Sequence, residues 1–271
     1  MTVIGTNYAA SMSGYYLNRN TTALNQSLEQ LSSGSRLTSN PNDAAGLAVA
    51  GQLTAQNSRL GSAINSANDV ISFAQTADGF LSTIQSMLTR MSELAQEATN
   101  GAFGSSDLAN YQTEYSNLLS TLDLIASNAS FNNSSIFSNT TLTVCINGFG
   151  AVDSLVLNTI GYSTSLGINL TSLTTTASAL TSLSALNSAI SCITNRRAMV
   201  NADISKFNFH ISNMQTEQVN IEAATSAIAD LDMAAGSTAL SKNQILVQAA
   251  TSMLAQANAS QQTVLTLLRS Q

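Results

Sequence analysis

Apolar residues return every three or four positions along most of this chain. Between Ala44 and Thr99 they stand at Leu60, Ile64, Ala67, Ile71, Ala74, Ala77, Leu81, Ile84, Leu88, Met91, Ala95 and Ala98. Such steps keep apolar side chains on one stripe of an α-helix, and a stripe this long is a coiled-coil seam. Two successive three-residue steps at Ala74 and Ala77 predict a stammer that overwinds the coil. The pattern repeats from Asp107 to Ala129, with Leu108, Tyr111, Tyr115, Leu118, Leu122 and Ile125, and Ser106 or Asp107 as cap. It returns from Thr176 to Ile228 through Leu183, Leu186, Ile190, Ile193, Arg197, Val200, Ile204, Phe207, Ile211, Met214, Gln218, Ile221 and Thr225. Arg197, Gln218 and Thr225 are polar members of this seam, the kind of residue that fixes register at some cost in stability.

The two ends carry weaker stripes. From Tyr8 to Leu31, Met12, Tyr15, Arg19, Leu24, Leu28 and Leu31 fall near one side, diluted by Gly14 and by Asn and Thr. A helix of this kind is marginal alone in water, so it is expected to fold only against a partner. From Asp230 to Arg269, Leu240, Val247, Leu254, Val264, Leu265 and Leu268 make an apolar end that a monomer could not comfortably expose. The middle differs. Thr140 to Asn147 alternates, with Leu142, Val144 and Ile146 on one face and Thr141, Thr143 and Cys145 on the other. That is a strand. Gly148-Phe149-Gly150 reads as a turn and Leu155 to Leu157 as a second strand.

These elements predict a mainly α fold. Long antiparallel helices from the N- and C-terminal halves form a coiled-coil bundle, with a small β-hairpin region between them. The expected divisions are 1–43 (terminal helix and its exit), 44–130 (shaft helices), 131–175 (β region), 176–229 (return shaft helix) and 230–271 (second terminal helix). Residues Leu31 to Ala50, LSSGSRLTSNPNDAAGLAVA, are the border between the first two divisions. Gly34 can take the left-handed conformation that closes a helix. Pro41 suits a helix start; Ser39, Asn40 or Asn42 can cap it, and Asp43 favours the positive end of the helix dipole.

Composition narrows the function. Charged residues are 9% of the chain, against about 25% in ordinary soluble domains. A surface so poor in charge suits coverage by neighbouring subunits, because burying unpaired charge is costly. The net charge is −6 and the largest basic cluster is Arg196-Arg197, which excludes a strong nucleic-acid binder. No apolar stretch reaches the length of about 18 residues that a membrane span needs, and Met1 to Thr6 shows no secretory signal. Cys145 and Cys192 are expected as small buried hydrophobes. Catalysis fails on inventory: the one histidine, His210, lies on a helix flank beside Phe207 and Ile211. Neither a phosphate-binding loop nor an H-E-x-x-H motif occurs, so no enzyme, metal or cofactor is expected.

Residues 31–50 also carry a family resemblance. They are similar to the segment of bacterial flagellins that reads roughly LSSG-R-I-SA-DDAAG-A-A. SKNQILVQAATSMLAQANASQQTVLTLLR, residues 241–269, resembles the flagellin C-terminus. The resemblance implies a structural subunit that self-assembles into a hollow helical filament for swimming, with the outer domains of larger flagellins missing. It implies that the terminal helices line the filament as an inner tube, through Met12, Leu24, Leu28, Leu31, Leu240, Val247, Leu254, Val264, Leu265 and Leu268. The shaft seam rests on Leu60, Ile64, Ile71, Leu81, Leu88, Ile190, Val200, Ile204, Phe207 and Ile211; Asn68, Asp69 and Asp78 are candidate outer contacts. The implied partners are other copies of the chain, an export chaperone at the C-terminal segment, and the filament cap and hook-associated proteins. The implied location is extracellular, reached without a cleaved signal. Met87 to Ala98 resembles the patch read by the vertebrate innate flagellin receptor, with Leu88, Arg90, Glu93 and Leu94 matching and Glu114 adding a contact. Thr89 and Ser92 replace a Gln and an Arg, so weakened recognition is expected. A hook–filament junction protein and a secreted adhesin or immune ligand are the alternatives.

Overall fold

The computed structural model describes residues 6–38, 43–137, 140–147, 150–157 and 173–269, with side chains for all of these except 140, 155–157, 264, 265 and 267–269. Helix α1 spans Tyr8–Ser33, α2 Ala44–Ala98 and α3 Ser105–Asn128; α4 spans Thr176–Ala229 and α5 Met233–Arg269. Strands β1 (Ser130–Phe131) and β2 (Ser134–Ser135) form one antiparallel hairpin, and β3 (Thr140–Cys145) and β4 (Val152–Leu157) another. The chain divides into two compact units, Met1–Ala55 with Asn220–Gln271, and Gln56–Val219. The divisions fall inside α2 and α4, ten or so residues from the element ends.

The unit from Gln56 to Val219 holds the core. Its α2 row runs Leu60, Ala63, Ala67, Val70, Ala74, Ala77, Leu81, Ile84, Leu88, Met91, Ala95 and Ala98, with Ile71, Phe73 and Leu94 buried beside it. Ala63 takes the place expected of Ile64, which is half-buried. Ile71 is buried as expected and Val70 beside it is buried equally, so both positions are filled where the expected stammer falls. The cause is a wide buried strip. Phe73 and Phe80 stack edge-on against Phe131 and Phe137 of the first hairpin region, while Arg197 of α4 reaches Asp78 and Gln85. On α4, Leu186, Ala189, Ile193, Val200, Phe207, Ile211 and Met214 are buried, and Ile190 and Ile204 are half-buried flanks. The pairs Gln56–Glu217 and Asp78–Arg197 set α2 and α4 antiparallel.

Local chemistry explains the element ends. Gly34, at φ +71°, closes α1 with its N–H on the Gln30 carbonyl. Ser39 to Asn42 lie outside the described residues, and Asp43 caps α2 by accepting the Gly46 N–H at 2.9 Å. Asp107, expected as a cap, instead reaches back to the Gly104 N–H. Asp232 accepts from Ala234 and Ala235 at the start of α5. Asn132 and Asn133 both have positive φ, the two-residue turn that a tight hairpin requires. Among the described side chains of β3 only Val144 is buried; Cys145 lies on the exposed face with Thr141 and Thr143, and Cys192 is half-buried. Neither thiol is a core hydrophobe, because each sits on the outer side of its element. Hydroxyls on the helix exteriors turn inward: Ser62, Ser66, Ser72, Thr76, Thr83, Ser86 and Thr89 donate to carbonyls four residues back, as do Thr181, Ser188, Ser191 and Thr194.

Candidate functional site

The terminal pair, α1 with α5, has almost no core. No residue of α1 is buried, and among the described residues of α5 only Ala250 is. The face that α1 turns to α5 holds Ala10, Gly14, Leu17, Ala23, Leu24 and Leu31, all half-buried, small residues mixed with leucines. Large apolar groups stay in water: Tyr8 is 78% exposed, Tyr15 62%, Ile245 64% and Met253 62%. Such rows on a helix pair mark an interaction surface. Of the expected inner-tube residues, Leu24, Leu31, Leu240, Val247 and Leu254 are half-buried, and Met12 and Leu28 are exposed. The side chains of Val264, Leu265 and Leu268 lie outside the described residues. Periodicity put Met12, Tyr15, Arg19 and Leu28 on the packing stripe, whereas the structure leaves them exposed; it did not mark Tyr8 and Tyr16, which also lie off the face that packs.

The exit from α1 is fastened at several points within the same unit. Ser35 bridges Asp230, the Arg36 N–H donates to the Ala229 carbonyl at 2.7 Å, and the Leu231 N–H donates to the Gly34 carbonyl at 2.9 Å. The Arg36 guanidinium donates to the Ile228 carbonyl at 2.9 Å and pairs with Asp43 at 3.0 Å. One side chain therefore satisfies the carbonyl end of α4 and meets the acid that caps α2, a placement the helix dipoles favour. The Gly46 N–H, above all, and Arg36 hold the Asp43 carboxyl below its ordinary value. A Cβ on Gly46 would sit 2.6 Å from that carboxylate, so glycine permits the cap. Sequence reasoning placed the break here but not the clamp.

In the shaft, Leu60, Ile71, Leu81, Leu88, Val200, Phe207 and Ile211 lie in the core as the seam requires. Asp78 is no free outer contact: Arg197 grips both of its oxygens, at 2.9 and 3.2 Å, and also donates to Gln85. Asn68 and Asp69 are exposed. In the receptor-like patch, Arg90 pairs with Glu114 at 2.9 Å and with Glu93 at 3.1 Å, all on the surface. Leu88 and Leu94 are fully buried beneath them. His210 and Lys206 both meet Asp153 at 3.2 Å, which fastens β4 to α4. Among the described residues no cluster of metal-ligating side chains occurs, and no helix is long and apolar enough to cross a membrane.

A shaft with its own core, joined to a helix pair that leaves apolar rows open, defines a protein built to be one subunit among many. Residues 4–141 match the family model for the bacterial flagellin N-terminal helical region, and residues 183–268 the model for the C-terminal helical region. The chain is 31% identical to a flagellin of Listeria innocua, over 98% of its own length and 99% of the relative's. It is 32% identical to flagellin FlaB2 of Treponema pallidum, over 98% and 100%. The chain belongs to the bacterial flagellin family and is a structural subunit of the flagellar filament. Among solved structures, the crystal structure of Bacillus cereus flagellin is similar at 27% identity and TM-score 0.50, over 58% of this chain and 93% of that one. A protein described as flagellar hook-associated, from Vibrio parahaemolyticus, shares the fold at 11% identity and TM-score 0.59 over 69% of this chain and 98% of that one.

Proposed function

We propose that this chain polymerises by coupled folding and assembly, with its terminal pair ordering against the same pair of neighbouring copies. The observation that carries this is the lack of any buried residue in α1. Burial of the rows at Tyr8, Tyr15, Ile245 and Met253 by neighbours supplies the driving force that the monomer lacks. The chain acts mechanically, outside the cell, with no reaction to catalyse. An export chaperone covers the apolar C-terminal segment until assembly, and cap and hook-associated proteins meet the same surface at the filament ends. Electron microscopy of the purified chain after concentration tests this: filaments are expected, and persistently dispersed monomer contradicts it.

The functional border lies at Gly34 to Asn42. Limited proteolysis should cut there in dilute monomer and spare it in the polymer, where neighbours hold both helix pairs in place. Equal cleavage in both states would show that the border lies elsewhere.

Recognition by the vertebrate innate receptor, if it operates, is confined to Arg90, Glu93 and Glu114, because Leu88 and Leu94 are buried. Ser92 offers no planar fork of donors in place of the Arg of the family pattern. Reporter cells should respond more weakly than to enterobacterial flagellin, and Ser92→Arg should raise the response. Equal potency of the unmodified chain rules this out.

A further inference from the structure

The exit contacts of Gly34 to Arg36 with residues 228–231 anchor one end of the α1–α5 pair. Along the rest of the contact face the half-buried apolar residues recur at heptad spacing, Leu17, Leu24 and Leu31 on α1 and Leu240, Val247 and Leu254 on α5. Sliding one helix past the other by a heptad would still lay these aliphatic residues on one another. Yet asparagine amides cross the interface. Asn7 Nδ2 donates to the Ala257 carbonyl at 3.0 Å, and Asn20 Nδ2 to the Leu246 carbonyl at 3.4 Å. Asn243 Nδ2 donates the other way, to the Ala23 carbonyl at 3.2 Å and to Ser27 Oγ at 2.9 Å. As the α1 positions climb from Asn7 through Asn20 to Ala23, their α5 partners descend from Ala257 through Leu246 to Asn243. All of these contacts belong to one antiparallel register.

We infer that Asn7, Asn20 and Asn243 are positioning residues that hold the register of the terminal pair beyond the clamp at its Gly34 end. A half-buried polar residue at a helix interface finds its partner in one alignment only. A slip of one heptad would bring Asn243 level with Tyr16 or Gln30 instead of Ala23, and would leave its amide without the carbonyl it now meets. Three of the four acceptors are backbone carbonyls and the fourth is Ser27 Oγ, so an amide in reach of the partner is required, and an aliphatic residue of similar size cannot supply it. The role matters only if copies pack on this pair, and in that respect the inference rests on the polymer reading. Tyr8 and Tyr15 sit on one helix, Ile245 and Met253 on the other. A single register gives every copy the same outward relief; mixed registers would give neighbours mismatched ones.

Full-length chain carrying Cys145→Ser and Cys192→Ser is the background for the test. Leu17→Cys with Ala250→Cys reports the native register, and Leu17→Cys with Ala257→Cys reports a slip of one heptad. The bond geometry of a disulfide discriminates between the two. Concentrated protein is oxidised, and intramolecular crosslinks are read as a mobility change of the monomer band on denaturing gels. The native asparagines should favour the first pair by about tenfold or more. In Asn7→Ser/Asn20→Ala/Asn243→Ala the ratio should fall several-fold, the rest of the preference coming from the clamp at Gly34 to Arg36; Asn7→Ser keeps the helix cap while removing the amide. Asn7→Ser/Asn20→Leu/Asn243→Leu keeps the helices paired by apolar contact and should lose the preference to the same extent. An unchanged ratio in both variants overturns the inference. So does loss of both crosslinks in the leucine version, because the amides would then be holding the pair together rather than aligning it. Filaments are scored separately by microscopy, so their absence in the parent chain counts against the polymer reading and leaves the crosslink ratio readable.

Discussion

Removal of residues 254–271 should abolish polymerisation and leave a soluble, folded shaft. Leu254 and the last turns of α5 lie in the unit of Met1–Ala55 with Asn220–Gln271, whereas the buried rows of α2 and α4 lie almost wholly between Gln56 and Val219. The truncation takes away the partner of the first turns of α1, where Asn7 meets Ala257. It touches none of Leu60, Leu81, Leu122, Ile193 or Phe207. Thermal unfolding of the dilute truncated chain should therefore match that of the full chain, while sedimentation after concentration shows no polymer. The full loss follows from cooperativity: the same stretch of α5 is missing from every subunit at once, and with it the support for the first turns of α1, which carry Tyr8. Filaments of normal length from the truncated chain would overturn the assignment of the terminal helices to assembly.

The largest effects on monomer stability come from the shaft core. Phe207 is 0% exposed and Leu81 1%. Phe207→Ala should cost about 3–5 kcal/mol and Leu81→Ala about 2–5 kcal/mol, from lost transfer energy and the cavity left behind. Periodicity places Ile204 in the same seam, but its side chain is only half-buried. Ile204→Ala should cost no more than about half as much. Chemical denaturation of dilute monomers measures all three, and the order is the informative result. Ile204→Ala as damaging as Phe207→Ala would mean that the seam runs where the periodicity put it and not where the buried row places it.

The long helices were legible because their signal is redundant: a dozen apolar positions at one spacing outvote any single substitution. The choice between adjacent candidates was not legible. Ala63 and Ile64 are neighbours, and hydropathy favours the isoleucine. The alanine is buried because α2 is covered on two sides, which no one-helix pattern reveals. The first hairpin was missed because its strands are only two residues each. Asn132-Asn133 was its signal, since asparagine tolerates positive φ better than most residues. The Arg36 clamp joins residues almost two hundred positions apart in the chain and left no local mark. The asparagines between α1 and α5 read simply as residues that weaken a helix. Only the partner helix gives them a purpose.

The inward-turned hydroxyls of α2 and α4 have a consequence for how copies meet. Each Ser or Thr that donates its proton to a carbonyl one turn back shows the outside only lone pairs. A surface dense in such groups is rich in acceptors and poor in donors, and with 9 Lys and Arg in the whole chain few cations make up the deficit. Two such surfaces brought together exchange hydrogen bonds mainly through exposed amides such as Asn68 and Gln75, and hold little charge for salt to screen. Contact between shafts then selects largely by shape, and added electrolyte should weaken it little.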